Sequence, residues 1–322
     1  MKFAASLAVL FVCGWIVSGR AAGPAPQGMP TDWSHRHLIF SRPKTPEQAA
    51  WIERDPRYWQ QWARRNIVAV VEAEDSGSGI SSTAFGAGDN PRRKTVHHDW
   101  AQNLGSGGTV GAGNYPAKYS FQITTAKCGN ATQPDYVIFS TGLTGTASQA
   151  SIVAYDNLYS GCTGTVPAVY WAYNTAGKVA TSPAISGDGT QAAFVQTSAG
   201  AATMVLLKWQ GGNGTLGTPA VLTAVSNASY RACTAPCMTT IALKDNVGVS
   251  TDDTTSSPFP DYTNDAIWVG GTRGWLHKIA GVFRGNPAEV TTGGFPAQTN
   301  SGSPTVLSSP VYDSTLGHSF RG

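Results

Sequence analysis

From residue 119 onward, apolar, β-branched and aromatic residues gather in short runs broken by Gly, Ser, Thr, Asn and Pro. The runs fall at 119–124, 135–140, 150–155, 168–173, 191–196, 203–209, 266–269 and 275–279. Runs of this length bounded by turn residues predict strands, and their number predicts an all-β fold. Helical signals are confined to the N-terminal part. Thr45-Pro46-Glu47-Gln48 places a capping hydroxyl, a proline at the first helical position and a glutamine where a capping box needs one. Asp55-Pro56 repeats the cap-then-proline order, and Tyr58, Trp59 and Trp62 then share one face, so a short helical hairpin with an aromatic packing stripe is expected. Residues 23–31 read as a flexible arm, 32–40 as a segment whose end forms a short strand and 67–73 as another strand. Residues 75–115, rich in Gly and Ser, read as loops.

A repeat organises the strands. Ser182-Pro183, Ser257-Pro258 and Ser309-Pro310 each open a turn of Gly, Asp, Asn or Ser, with a strand expected about ten residues beyond the proline. A looser counterpart is Gln133-Pro134-Asp135-Tyr136, giving spacings of 49, 75 and 52 residues. A turn-plus-strand unit of roughly 40 to 50 residues is the size of a propeller blade. The expected fold is therefore an all-β β-propeller with a short helical N-terminal extension. Its last copy stops at 320–322, where its first strand should form, so unless an N-terminal strand completes that blade the ring is expected to be incomplete and the chain the front part of a longer one. The expected division is a signal peptide over 1–22, an extension over 23–115 and blades over 116–322.

The leader is read from Lys2, the apolar run 3–17 and the small-residue stretch Ser18-Gly19-Arg20-Ala21-Ala22. It is too short for a membrane span, which needs about 20 residues. A lipid-bearing Cys13 is disfavoured by the bulky Phe11 and Val12 before it. A secreted or periplasmic location follows, with no transmembrane segment after processing. The whole chain carries 22 Lys and Arg against 19 Asp and Glu; loss of Lys2 and Arg20 leaves a net charge of +1, which excludes the basic footprint of a nucleic-acid binder. Charged residues are only 13% and glycines number 37, as suits turn-rich β structure.

Of five cysteines, Cys128, Cys162, Cys233 and Cys237 survive processing. In an exported chain an even count reads as two disulfides, and four cysteines allow three pairings. Cys233 and Cys237 flank the tight Thr234-Ala235-Pro236 turn, so Cys128 with Cys162 and Cys233 with Cys237 is the expected pairing. A metal site at Cys-x3-Cys lacks a nearby His or second Cys pair.

The segment Ser182-Pro183-Ala184-Ile185-Ser186-Gly187-Asp188-Gly189-Thr190-Gln191-Ala192-Ala193-Phe194-Val195 resembles the blade unit of TolB-type and WD40-like bacterial propellers, with Gly187 where that family usually has proline. Ser257-Pro258 through Gly270-Gly271-Thr272-Arg273-Gly274-Trp275-Leu276-His277-Lys278-Ile279 resembles the blades of PQQ-type and YVTN-type propellers. Residues 117–322 together are similar to secreted bacterial propellers of uncharacterised function. The quinoprotein likeness implies a quinone and calcium held by acidic side chains, for which Asp252, Asp253, Asp261 and Asp265 are the available oxygens. Turn formation in Ser- and Thr-rich loops is the plainer role for these residues.

Other chemistry is thin. Strand alternation would put His35 and His37 on one face, and with His97, His98 and Asp99 they would make a transition-metal set if the segments met. Arg92-Arg93-Lys94 reads as a solvated loop tip. Residues 105–113 are Gly-rich but lack the lysine and helix of a phosphate loop. No Gly-x-Ser-x-Gly elbow or His-Glu-x-x-His is present. Asn130, Asn213 and Asn227 each open an Asn-x-Ser/Thr triplet, expected by chance in so Ser- and Thr-rich a chain. No catalytic, cofactor or metal residue is assigned. The expected function is an exported binding or scaffold module for a protein, glycan or cell-envelope component, with a quinoprotein-like or hydrolase-type enzyme acting at the ring axis as the alternative.

Overall fold

The computed structural model describes residues 28–55, 57–59, 61, 100–111, 113–122, 125–245, 248–249, 254–299, 308–315 and 318–320. Strands make up 36% of it and helical residues 7%, an all-β protein with several sheets. Sheet I is an antiparallel meander of Ala117–Ser120, Tyr136–Ser140, Ile152–Asp156 and Ala168–Asn174. Sheet II runs Ala184–Ile185, Gln191–Ser198, Ala201–Lys208 and Cys237–Ala242. Sheet III runs Phe259–Asp261, Ala266–Gly270 and Trp275–Ala280, whose far edge pairs with Ala288–Glu289 and Ala297–Gln298. Sheet IV begins with Val311–Asp313 and His318–Phe320.

Side chains on alternate positions of a strand face opposite ways, and here both faces are apolar. Phe194, Val205 and Leu207 of sheet II pack on Ile138, Trp171 and Tyr173 of sheet I. Their neighbours Val195, Met204 and Leu206 pack on Ile267, Val269 and Ile279 of sheet III. Sheet II is thus buried between sheets I and III, and the core is layered in chain order. The outer face of sheet I is covered by Trp100 and Leu104. Phe259 and Tyr312 are covered by Trp33, Leu38, Phe40 and Ile52 from the N-terminal segment.

All eight expected strands form, with ends shifted by a residue or two except in sheet I, where the first begins at Ala117 and closes at Ser120. The repeat opening needs correcting. A short strand follows each Ser-Pro directly, at Ala184–Ile185, Phe259–Asp261 and Val311–Asp313, and the turn comes after it. Proline suits this place because it precedes the first ladder bond. The opening of sheet I is Tyr115-Pro116, ahead of Ala117–Ser120, whereas Gln133-Pro134 precedes that sheet's second strand.

The openings are joined. The Tyr115 N–H donates to Ser182 Oγ at 2.7 Å, the Ser182 N–H to Ser257 Oγ at 2.9 Å and the Ser257 N–H to Ser309 Oγ at 2.8 Å. The Ser182 and Ser257 hydroxyls both donate to the Gly113 carbonyl, at 3.2 and 2.9 Å.

The N-terminal segment is more than an arm. Met29–Thr31 adds antiparallel to Ala117–Ser120, and Leu38–Ile39 adds parallel to Val311–Asp313, so one short stretch belongs to sheets I and IV at once. Helix Pro46–Ile52 follows, its Thr45 cap accepting from the Gln48 N–H at 3.3 Å while Gln48 Oε1 reaches back to the Lys44 N–H. The second helical turn survives as residues 57–59. Tyr58 packs edge-on against Phe40 and Trp59; Trp62 and the expected strand at 67–73 lie outside the described residues. Both disulfides form as expected, Cys128–Cys162 with Cα atoms 5.6 Å apart and Cys233–Cys237 with 6.5 Å. No helix of the described residues is long and apolar enough to cross a membrane.

Candidate functional site

Between its two strands the N-terminal segment makes a single 3-10 turn, Trp33–Arg36. Asp32 caps it: Oδ1 accepts from the Ser34 N–H at 3.0 Å and from the Ser34 hydroxyl. Because the chain is pinned into sheet I before the turn and into sheet IV after it, the turn has little freedom. Asp32, Trp33, His35 and His37 form one wall of a cavity of about 460 Å³, and Tyr115 and Pro116 of the sheet I opening form another.

Behind this wall lies Arg57, 1% exposed and ion-paired to Asp55 at 2.7 Å. Its Nη1 donates to Ser34 Oγ at 3.0 Å and its Nη2 to the Pro260 carbonyl at 3.0 Å, and the guanidinium lies 4.8 Å from the Tyr262 ring centroid and 5.1 Å from that of Phe259. Burial opposes the Arg57 charge, but the Asp55 carboxylate more than compensates and holds its pKa above the ordinary arginine value. Burial also lowers the His35 pKa, helped by Arg57 and opposed by Asp32, by Asp55 and by the Pro30 carbonyl, which lies 2.7 Å from Nε2. Arg57 is matched by Asp55, so Asp32 gives the cluster one surplus negative charge. Asp32 Oδ2 and the Trp33 indole N–H are buried with no hydrogen-bond partner among the described residues. A buried acceptor or donor left in this state costs about 1 to 3 kcal/mol.

The expected strand alternation of His35 and His37 is incorrect: both lie in or beside the 3-10 turn, which leaves them on the same cavity by another route. His97, His98, Asp99 and the Arg92-Arg93-Lys94 run lie outside the described residues, as do Asp252 and Asp253. Asp261 accepts from the Thr263 and Asn264 N–H groups, and Asp265 from those of Phe283, Arg284 and Gly285, so both serve turns. Among the described residues no three His, Cys, Asp or Glu are placed to hold a metal. The Gly-rich stretch ends in the Gly113 carbonyl that accepts from two opening serines. Sequence reasoning missed Asp32, Trp33 and Tyr115. Two signals were available: Asp32-Trp33-Ser34 has the spacing of a cap, and Tyr115-Pro116-Ala117 has the shape of an opening without its serine.

Compared with protein-family models, curated proteins and solved structures, the chain matches none.

Proposed function

We propose that this chain is an exported β-propeller binding module whose Asp32 cavity takes a protonated amine or guanidinium carried by a protein or cell-envelope component. The observation that carries the ligand class is the unpartnered Asp32 Oδ2 beside an Arg57 already matched by Asp55. Such a carboxylate favours a donor that brings positive charge, and the Trp33 and Tyr115 rings beside it suit a cation, since aromatic faces attract one. The propeller reading is supported by sheets stacked in chain order and by the serine relay joining their openings. Export is supported by the leader pattern and by the two disulfides.

The test is NMR titration of the processed protein with N-acetyl-lysine amide, arginine amide and, as a neutral counterpart, N-acetyl-norleucine amide. The Trp33 indole N–H resonance, assigned with Trp33→Phe, should move with the two cationic probes and stay with the neutral one. Asp32→Asn, which keeps the cap oxygen, should abolish the movement. Equal response to all three probes, or an unchanged response in Asp32→Asn, would overturn the proposal.

A further inference from the structure

A second cavity, of about 540 Å³, shares no lining residue with the first. Helix Pro46–Ile52 presents Trp51 to it, sheet III presents Trp268 and Lys278, and sheet IV presents Tyr312. The strand register explains part of this: Trp268 and Lys278 are directly paired across two antiparallel strands and so project from the same face. The Trp268 and Tyr312 rings lie 26° from parallel with centroids 6.2 Å apart. Phe295 meets Trp268 edge-on at 5.2 Å and holds its orientation. The result is a fixed aromatic platform.

Charge around the platform is unevenly committed. Asp261 is occupied by two backbone N–H groups and by Asn264 Nδ2 at 2.6 Å. Glu47 is held below the usual carboxylate range by its own backbone N–H and the Thr45 hydroxyl. The Lys278 ammonium, by contrast, lies 4.9 Å from the Trp268 centroid and 5.8 Å from that of Phe295, with no carboxylate in ion-pair distance among the described residues. Trp268 Nε1 is buried without a partner among them as well. Lys278 is thus the one cation among the described residues on the cavity lining and stands beside a flat apolar surface, while the Asp261 and Glu47 carboxylates keep their charge but are held by hydrogen bonds of their own.

We infer that this cavity is a carbohydrate site for an acidic sugar, a pyranose whose C–H face lies on the aromatic platform and whose carboxylate meets Lys278. A pyranose has one apolar face and a polar rim, which matches rings rimmed by hydroxyl and amide groups such as Ser314, Thr315 and Asn264. The cavity volume is within the range of about 300 to 1,000 Å³ usual for ligand sites. A bare phosphate would gain from the cation but leave the platform unused, and a neutral sugar would leave the ammonium unmatched.

The test is fluorescence titration of the full chain with methyl glucuronide, methyl glucoside, acetate and phosphate, and then with oligogalacturonate to separate a free sugar from a polymer segment. Methyl glucuronide should bind, with methyl glucoside weaker by about tenfold or more, the loss expected for one charge-assisted hydrogen bond. Lys278→Gln should erase that preference, and Trp51→Ala should weaken both sugars. Trp51 is on a partly exposed helix, so its variant tests the site even if Lys278→Gln fails to fold. Tighter binding of oligogalacturonate would identify a polymer as the source; equal binding per residue would identify the free sugar. Equal affinity for both methyl glycosides, acetate or phosphate matching the glucuronide, or no sugar binding at all would overturn the inference.

Discussion

The Ser182 N–H donates to the Oγ of Ser257, a residue 75 positions further along the chain and the opening of the next sheet. Each interior serine has two tasks: its oxygen accepts the N–H of the preceding opening, and its hydroxyl hydrogen goes to Gly113. Alanine at either position would leave the N–H of the preceding opening unmatched and take one of its two donors from the Gly113 carbonyl, which is why serine stands there.

Ser257→Ala should therefore lower unfolding free energy by about 2 kcal/mol, the cost of an orphaned buried group. Val221→Ala, at a side chain 78% exposed, should change it by less than about 0.5 kcal/mol. Urea denaturation monitored by tryptophan fluorescence measures both. Equal effects from the two variants would remove the relay from the account of stability.

Arg57→Ala should cost about 3 kcal/mol or more, because Asp55, 2% exposed, would keep a buried charge with no counterion. Arg57→Lys should recover little of this. A single ammonium cannot reach Asp55, Ser34 and the Pro260 carbonyl together, as the guanidinium does. The chemical denaturation midpoint decides it, and a lysine variant as stable as the parent would contradict the fork geometry.

The two disulfides should differ in worth. By loop-closure entropy, Cys128–Cys162, spanning 34 residues, stabilises by about 4 kcal/mol and Cys233–Cys237, spanning 4, by about 2 kcal/mol. Paired Cys→Ser variants compared by denaturation should keep that order. Mass spectrometry of the unreduced protein should find no free thiol among these four cysteines.

Acid should weaken the fold through His35. Its folded pKa lies below the ordinary 6.5, so as pH falls through 6.5 the unfolded chain takes up a proton that the folded one resists. Stability from this group is complete above that value and declines toward the lower folded pKa. His35→Gln should lose less melting temperature between pH 7 and pH 5 than the parent, measured by differential scanning calorimetry. An identical acid loss would assign the effect elsewhere.

Much of the β architecture was readable because its strands are dense in apolar residues. Phe194 and Val195, for example, face two different cores, so no polar position interrupts the run. Cys237–Ala242 does not read as a strand because the buried Thr239 is polar while the half-buried Met238 and exposed Ala242 are apolar, so polarity does not alternate with burial along it. The first opening escaped for a physical reason. Tyr115 is at the head of the relay: its N–H donates to Ser182, and no earlier opening among the described residues donates to its side chain, so no hydroxyl is needed and the repeat signature is absent there. The candidate site was half legible. His35 and His37 drew notice as metal-ligand types, but the chemistry rests on Asp32, whose free oxygen depends on Arg57 being satisfied by Asp55. That arrangement depends on three-dimensional packing, which residue spacing does not encode.

The segment 29–39 is synthesised long before one of the strands it joins. Its second strand pairs with residues about 270 positions later, and Ser41 with Asp313 across 272. A polypeptide emerging in order from a ribosome must therefore hold Trp33, Leu38 and Phe40 without their native cover until Val311–Asp313 arrives. Throughout that interval the early part presents an apolar surface of the type that holding chaperones recognise.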